Sequence, residues 1–233
     1  MIKKDTQGVT FAKGFTAAGV KAGIKKSGNL DVAVIYTKTQ AVVAGTFTQN
    51  KVAAAPVYVS KEVVATGTAH AIVANAGCAN ACTGQQGLDD AHKMAQIAAD
   101  ELGVNADDVI VGSTGVIGVS LPMDKLEAGI KDAVANLSAD GSGNAGRAII
   151  TTDTHSKSVT CEFELSGKTV RMGAIAKGSG MIRPNMATML CYITTDIAID
   201  QTLLQKAVSG CVEKSFNMIS VDGDMSTNDM VIV

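Results

Sequence analysis

The chain has 233 residues, 46% of them apolar, with 24 Gly, 3 Pro, no Trp and a formal net charge of -2. That length suits one large domain or two smaller ones, with a core packed mainly from Ala, Val, Ile, Leu and Met at close backbone approach. The near-neutral charge leaves no electrostatic footprint for nucleic acid or an anionic membrane surface, the apolar runs are far too short to span a bilayer, and MIKKDTQG lacks a signal core, so a cytoplasmic location is expected.

In chain order, DVAVIYTKTQAVVAGTFTQ predicts two strands, Val32–Tyr36 and Ala41–Phe47, separated by a Thr-Lys-Thr-Gln turn, and Pro56–Val59 starts a further short strand. Ala71–Ala74 reads as a buried strand that runs out into small residues and Gly77, Gly84 and Gly87. Leu88, Ala91, Ala95, Ala98 and Leu102 recur at helical steps and stop at Gly103, which predicts an amphipathic helix. A short strand at Val109–Val111 enters GSTGVIG, and Pro122 opens a second helix carrying Leu126, Ile130, Ala133 and Leu137. ADGSGNAGRA reads as a flexible connection to AIITTDTHSK. SVTCEFEL and TVRMGAIA alternate around Ser166-Gly167-Lys168 as a hairpin that delivers the chain to Lys177. After KGSGMIRPNMATMLCYITTD come a third helix over Leu203, Ala207, Val208, Cys211, Val212 and Phe216, a short strand at Met218–Val221, and an apolar ending, Asp229–Val233. A terminal strand needs a neighbour to cover it, so the expectation is that this chain is part of a longer product. The fold class expected is α/β.

The chemistry does not point to histidine or metal. His92 stands among polar residues on the wet side of a helix, His70 ends a loop, and His155 in TTDTHSK reads as a surface-loop residue. Cys78, Cys82, Cys161, Cys191 and Cys211 are an odd number without a secretion signal, which predicts reduced, mostly buried thiols, and Cys78 and Cys82 have no second pair at a zinc-like spacing. GSTGVIG and KGSG match neither a phosphate loop nor GxGxxG. GSTGVIG does put the backbone N–H groups of Thr114 and Gly115 and a threonine hydroxyl at a strand end, the material of an oxyanion hole, although its ordinary reading is a tight strand-to-helix turn. Alone, Lys177 reads as a solvated loop lysine and Thr188 as a strand residue.

Taken together, GFTAAGVKAGIK, VAGTFTQNKVAAAPV, IVANAGCANACTG, GSTGVIG, AIITTDT, KGSGMIRPNMATML and SFNMISVDGDMSTND resemble the ornithine acetyltransferase family, the glutamate N-acetyltransferases of cyclic arginine biosynthesis. The resemblance implies mixed β-sheets sandwiched by helices, in a self-processing fold related to a group of aminopeptidases. It implies a precursor that cuts itself between Ala187 and Thr188, giving an α-chain region, 1–187, and the start of a β-chain region, 188–233. Cutting would free the Thr188 amine as a base for its own hydroxyl. The implied reaction is a ping-pong transfer from N-acetylornithine to glutamate through acetyl-Thr188. Thr114 and Gly115 would form the oxyanion hole, and Thr151, or the adjacent Thr152, and Lys177 would contact substrate. Lys177 would either bond a substrate carboxylate or favour a neutral neighbouring amine. No cofactor is implied, acetyl-CoA being a further donor substrate. The cut chains would pair into a heterotetramer of two α- and two β-chains. An N-terminal-nucleophile amidohydrolase or aminopeptidase using water as acceptor, and an inactive unprocessed fragment, are the alternative readings. Pro184 and Asn185 would restrain the approach to the cut bond.

Overall fold

The computed structural model describes residues 2–4, 7–183 and 189–233. Among the described residues, ten strands form two mixed sheets. The smaller sheet has the order β2 (Phe15–Val20), β3 (Val32–Val42), β5 (Thr68–Cys78), β6 (Val109–Val116), antiparallel except for the parallel β5/β6 pair. The larger has the order β1 (Ile2–Lys4), β7 (Lys157–Leu165), β8 (Lys168–Lys177), β9 (Leu190–Thr195), β10 (Met230–Ile232), β4 (Gly45–Phe47), with only β9/β10 parallel. Strands from both sides of residue 188 therefore share one sheet.

The sheets face each other across an apolar layer that includes Ile35, Ile72, Ile110, Ile175, Leu190, Tyr192 and Ile232. On the outer face of the smaller sheet, α2 (Gly84–Leu102) and α3 (Met123–Ala135) pack Met94, Ala98, Leu126 and Ile130 against Val32, Val73 and Val111. Outside the larger sheet, α5 (Gln201–Glu213) sets Leu204, Val208 and Val212 against Cys191 and Val231. Each fully buried Val, Ile or Leu contributes about 1.5–3 kcal/mol over an exposed one, so these three layers supply the main driving force. The arrangement is the expected one of mixed sheets between helices.

Several elements follow their sequence signals closely. The α2 helix ends at Gly103 in the left-handed conformation (φ 70°), which a residue without Cβ adopts without strain. The β7/β8 hairpin turns on Ser166 (φ 51°) and Gly167 (φ 74°), the two positive values that match strand twist. The core is built as composition suggested, with Tyr192 its largest fully buried side chain.

Others differ for physical reasons. Thr37–Gln40 is not a turn: it lies within the single strand β3, whose pairing with β5 shifts register between Tyr36 and Ala41. Polar residues continue the strand where its edge is exposed, and the strand expected over Ala41–Phe47 is divided, its last three residues forming β4 in the other sheet. Pro56–Val59 is not a strand but the start of α1 (Ala55–Thr66). Pro56 sits in the first turn, where a missing N–H costs nothing, and Val57, Ser60, Val63 and Val64 bury one face, so tertiary packing overrides β propensity. The supposed flexible connection contains α4 (Ser142–Ala148). Its small residues are poor helix formers, but they let α4 lie directly on β2, where a Cβ on Gly19 would stand 2.2 Å from the Asn144 carbonyl oxygen. Met218–Val221 makes no strand: a 3-10 turn, Phe216–Met218, leads into a loop committed to other contacts. The terminal segment, by contrast, is a strand with neighbours on both sides, β9 and β4.

Gly19→Ala should force β2 and α4 apart. The expected loss is about 1–3 kcal/mol, the usual cost of overpacking, read as a lower urea midpoint; an unchanged midpoint would contradict the close approach.

Candidate active site

A cleft of about 1260 Å3 is lined by the 23–27 loop, the end of β5, residues 114–120, Thr151, Thr152, Lys177, Gly180, Met181 and Ser226–Asn228. The described candidates Thr114, Gly115, Thr151 and Lys177 thus meet at one place, although they come from β6, the loop after α4, and the end of β8. Ala187 and Thr188, with Pro184 and Asn185, lie outside the described residues.

The cleft's wall depends on an irregular pairing. β6 extends through Gly112–Val116 rather than turning towards a helix after Val111, and its pairing with β5 shifts at Gly77/Cys78. Gly115 has φ 137°, and a Cβ there would stand 2.3 Å from the Gly77 carbonyl carbon. Only glycine fits both restrictions. Gly115 is consequently exposed to the cleft while Thr114 is buried.

Behind this wall is a set of satisfied polar groups. Ser113 Oγ donates to Asn75 Oδ1 (2.7 Å), and Asn75 Nδ2 donates to the Cys78 carbonyl (2.9 Å). Asn228 Nδ2 donates to the carbonyls of Ala79 (2.7 Å) and Ser113 (2.9 Å), and Thr227 Oγ1 donates to Asn228 Oδ1 (2.6 Å). The amide of Asn228 therefore ties the two chain segments that carry the cleft wall. On the far side, Ser60 Oγ donates to the Val111 carbonyl (2.6 Å) and accepts from its N–H (3.0 Å). Fully paired networks of this kind hold geometry that unpaired groups would not.

Lys177 is 3% exposed, and its Nζ donates to Thr114 Oγ1 at 3.1 Å. It is not the solvated loop lysine that its surroundings in sequence suggest. Burial pushes its pKa below the ordinary lysine value; Asp153 and Asp229 oppose that shift and Lys157 adds to it. The Thr114 hydroxyl, accepting from Lys177, keeps its own proton to donate elsewhere.

Asp153 links the neighbouring segments. Its Oδ1 accepts from Lys157 Nζ (2.5 Å) and Gly178 N–H (2.8 Å), and its Oδ2 from Thr151 N–H (3.4 Å). Burial would raise this carboxyl, but Lys157, the Gly178 N–H and Lys177 together outweigh it and hold the pKa below the ordinary value. Thr151 and Thr152 are both exposed on the cleft, but the Thr152 hydroxyl is engaged with Ser179 Oγ (2.9 Å). Lys25, in the 23–27 loop, is tied by Nζ to the carbonyls of Leu30 (2.5 Å) and Ala148 (3.1 Å). Its pKa is lowered first by burial and also by Lys177, against the opposing charges of Asp31 and Asp153.

Two further acids hold the chain on either side of residues 184–188. Asp222 accepts from the N–H groups of Met181 (2.6 Å) and Ile182 (2.8 Å), which keeps Met181 at φ 59°, an unusual value for a side chain of its size. Asp229 Oδ1 accepts from Met189 N–H (2.9 Å). Burial raises the Asp229 pKa to about 7, against the Met189 N–H, the Ser226 hydroxyl and Lys177. Asp153, Asp222, Asn228 and Asp229 were not singled out from sequence. The available signal for the last two was a polar Thr227-Asn228-Asp229 set against the apolar Met230–Val233 run.

The remaining candidates stand apart. His92 and His155 are exposed, as expected, whereas His70 lies within β5 and not at a loop end, its Nδ1 3.0 Å from the Thr37 carbonyl. All five cysteines are free, but only Cys78 and Cys191 are buried, so the thiols are not mostly buried: Cys82 is exposed in the bend before α2, Cys211 is exposed on α5 and Cys161 is half-buried. Cys78 ends a strand and Cys82 has φ 58°, so the pair does not share a helical face. Among the described residues there is no cluster of three or more His, Cys, Asp or Glu arranged for a metal, and no helix long and apolar enough to cross a membrane.

Comparison with known proteins bears on the family of the whole chain. The family model described as "ArgJ family" matches residues 16–233. The arginine biosynthesis bifunctional protein ArgJ of Symbiobacterium thermophilum is 52% identical over 228 residues, 97% of this chain and 57% of that protein. The chain thus spans little more than half the length of this relative. A crystal structure of ornithine acetyltransferase from Mycobacterium tuberculosis, complexed with ornithine, shares 40% identity at TM-score 0.74, covering 82% of this chain and all of the solved one. The L-aminopeptidase D-Ala-esterase/amidase of Ochrobactrum anthropi, described as a variant of the Ntn-hydrolase fold, matches 98% of this chain and 73% of its own at 13% identity and TM-score 0.55, a likeness of fold alone. On the extent of the family match and the identity to its members, the chain belongs to the ArgJ family.

Proposed function

We infer that the protein transfers an acetyl group from N-acetylornithine to glutamate through an acetyl ester on Thr188. The observation that carries this reading is the convergence of Lys177, Thr114, Gly115 and Thr151 on one cleft. Met181 lines that cleft ahead of the Ala187–Thr188 bond, and Ser226–Asn228 lead into Asp229, which holds Met189 after it. The family membership and the ornithine complex of the Mycobacterium tuberculosis relative support the substrate class.

The nucleophile arises by cutting Ala187–Thr188, a hydrolysis that consumes one water and leaves a carboxylate on Ala187 and an amine on Thr188. Length supports the cut: residues 1–187 would be four-fifths of this chain, and the solved relative is covered completely by 82% of it. The segments 1–187 and 188 onward become the α- and β-chains of a cytoplasmic heterotetramer with two copies of each.

In the first half-reaction the Thr188 amine takes the proton from its own Oγ, which attacks the acetamide carbonyl carbon. The Thr114 hydroxyl and the Gly115 N–H stabilise the oxyanion. The C–N bond then breaks, the ornithine nitrogen takes the proton held by the amine, and acetyl stays on Oγ. In the second, the glutamate amine attacks the ester carbonyl carbon, the C–O bond to Thr188 Oγ breaks, the proton lost by the glutamate nitrogen passes through the Thr188 amine to Oγ, and N-acetylglutamate leaves. Lys177 and Thr151 contact substrate, with Lys177 holding the Thr114 hydroxyl as acceptor so that its proton points to the oxyanion. Acetyl-CoA serves as a second donor to the same threonine.

With labelled N-acetylornithine, the full-length protein should form labelled acetylglutamate only when glutamate is present; free acetate at the same rate without glutamate would sink the reading in favour of a hydrolase. Thr188→Ala should leave one uncut species by mass spectrometry and no transfer. Thr114→Val removes one oxyanion donor and should lower kcat about 10²–10³-fold, and a loss below threefold would exclude the Thr114 hydroxyl from that role.

A further inference from the structure

The cleft carries charge of one sign. Its described lining includes Lys25, Lys26, Lys125 and Lys177 and no aspartate or glutamate. The two carboxylates whose charges act on Lys25, Asp31 and Asp153, are committed to other donors. Asp31, fully buried, accepts from the N–H groups of Ala22 (2.6 Å), Ile24 (2.6 Å) and Lys25 (2.9 Å), and Asp153 accepts from Lys157, Gly178 and Thr151. The 22–25 segment is thus wound on one buried carboxylate. It also abuts the irregular end of β5: Gly77 has φ 115°, and a Cβ there would stand 3.2 Å from the Lys25 backbone nitrogen. The Ala76 N–H donates to the Asp31 carbonyl (2.8 Å), which fastens the same loop to the same strand. At the far end of the side chain, Lys25 Nζ donates to the Leu30 and Ala148 carbonyls. An ammonium has three donors, so these two bonds leave one hydrogen for a ligand. A half-buried lysine fixed at both ends, in a cleft whose described lining holds no acid, is built to meet an anion.

The two substrates present different anions here. N-acetylornithine and glutamate share an α-carboxylate, but only glutamate has a second carboxylate, on its side chain. From the reacting nitrogen the α-carboxylate carbon is about 2.5 Å away, and the side-chain carboxylate carbon is up to about 5 Å away in an extended chain. Lys177, bonded to Thr114 on the oxyanion wall, suits the nearer group. The farther one must meet another cation.

We propose that Lys25 is the specificity-determining residue for the acceptor, its Nζ donating a charge-assisted hydrogen bond to the side-chain carboxylate of glutamate. This rests on the reading of the cleft as the acetyl-transfer site. Lys177 is near enough for its charge to act on Lys25, so an arriving dicarboxylate also relieves the repulsion between two ammonium groups. N-acetylornithine brings one carboxylate and a side-chain ammonium, and gains nothing from Lys25. Lys26 and Lys125 are exposed, so water and salt screen them more than they screen Lys25.

Ping-pong transfer lets the two halves be measured apart. Exchange of labelled ornithine into N-acetylornithine needs no glutamate and reports the donor half alone. Glutamine as acceptor keeps the shape of glutamate and removes its side-chain charge. The full-length wild-type protein should prefer glutamate over glutamine about 10–100-fold in kcat/KM, the range expected of one hydrogen bond to a charged group. Lys25→Met should bring that ratio close to one, through loss of glutamate transfer, with a loss of exchange at least about tenfold smaller. Lys25→Arg, which keeps the charge, should recover most of the preference. A lysine that only braces the Leu30 and Ala148 carbonyls would lower exchange and both acceptors alike, and that outcome overturns the inference. So does a wild-type protein that takes glutamine as readily as glutamate. If Lys25→Met does not fold, Lys25→Gln, which retains an N–H for those carbonyls, replaces it with the same expected ratio. A wild-type protein with neither exchange nor transfer removes the reading of the site itself, whereas intact exchange with an unchanged acceptor preference in the variant overturns this inference alone.

Discussion

The site depends on one hydrogen bond between the sheets, from Lys177 Nζ at the end of β8 to Thr114 Oγ1 on β6. The layer between the sheets is mostly apolar, and apolar contact does not fix where one sheet lies along the other to within an ångström. A buried ammonium must have an oxygen, and Thr114 supplies one. That need ties the β6 irregularity, and with it Gly115, to the hairpin that carries Lys177. Asp153 extends the tie by bonding Gly178 and the Thr151 N–H, so that three pieces of chain remote in sequence share one frame.

The 226–229 segment braces the same wall from behind. Asn228 bonds carbonyls on the two chains that form the cleft, while its neighbour Asp229 holds Met189 and leads into β10. A segment after residue 188 is thus built into the wall made by residues before it. Strands β9 and β10 also complete the larger sheet between β8 and β4, so breaking the chain at 187–188 would leave two pieces joined by strand pairing on both sides. Both pairings, β8 with β9 and β10 with β4, lie among the described residues and would remain after such a break.

Periodicity made legible the elements that bury one regular face: α2, α3 and the β7/β8 hairpin show it over ten or more residues. It failed where small residues allow an approach that no local pattern reports. The α4 segment is rich in glycine, and the absence of a Cβ on Gly19, far away in sequence, is what lets it lie against β2. Pro56 misled because its valines suit a strand and the helical face appears only over the full α1. For the site, Thr114, Gly115, Thr151 and Lys177 came from motif resemblance, and structure brings them to one cleft. Asp153 was invisible because an acid between polar neighbours looks solvated, and Asp229 because it reads as the polar edge of an apolar run. Their significance is burial, which sequence does not display.

Burial also has a thermodynamic sign. The Asp229 carboxyl titrates near 7 in the folded chain against 3.8 ordinarily, so the folded state binds an extra proton between those values. Its contribution to stability therefore declines as pH rises from about 4 to 7 and is least favourable above that. Lys177 is lowered, so the cost of its charge is complete below its folded pKa and is relieved as pH rises towards 10.5. Asp153 acts oppositely: its depressed pKa gives stability above 3.8 that is lost as pH falls through the folded value. Near neutral pH the chain thus carries two ionisable groups at the cost of stability, offset in part by a third. Replacing both by apolar residues would suit the fold better. Their retention is explained by what they hold, the Thr114 hydroxyl on the cleft wall and the Met189 amide, and a site kept against the fold's own preference is where chemistry should be sought.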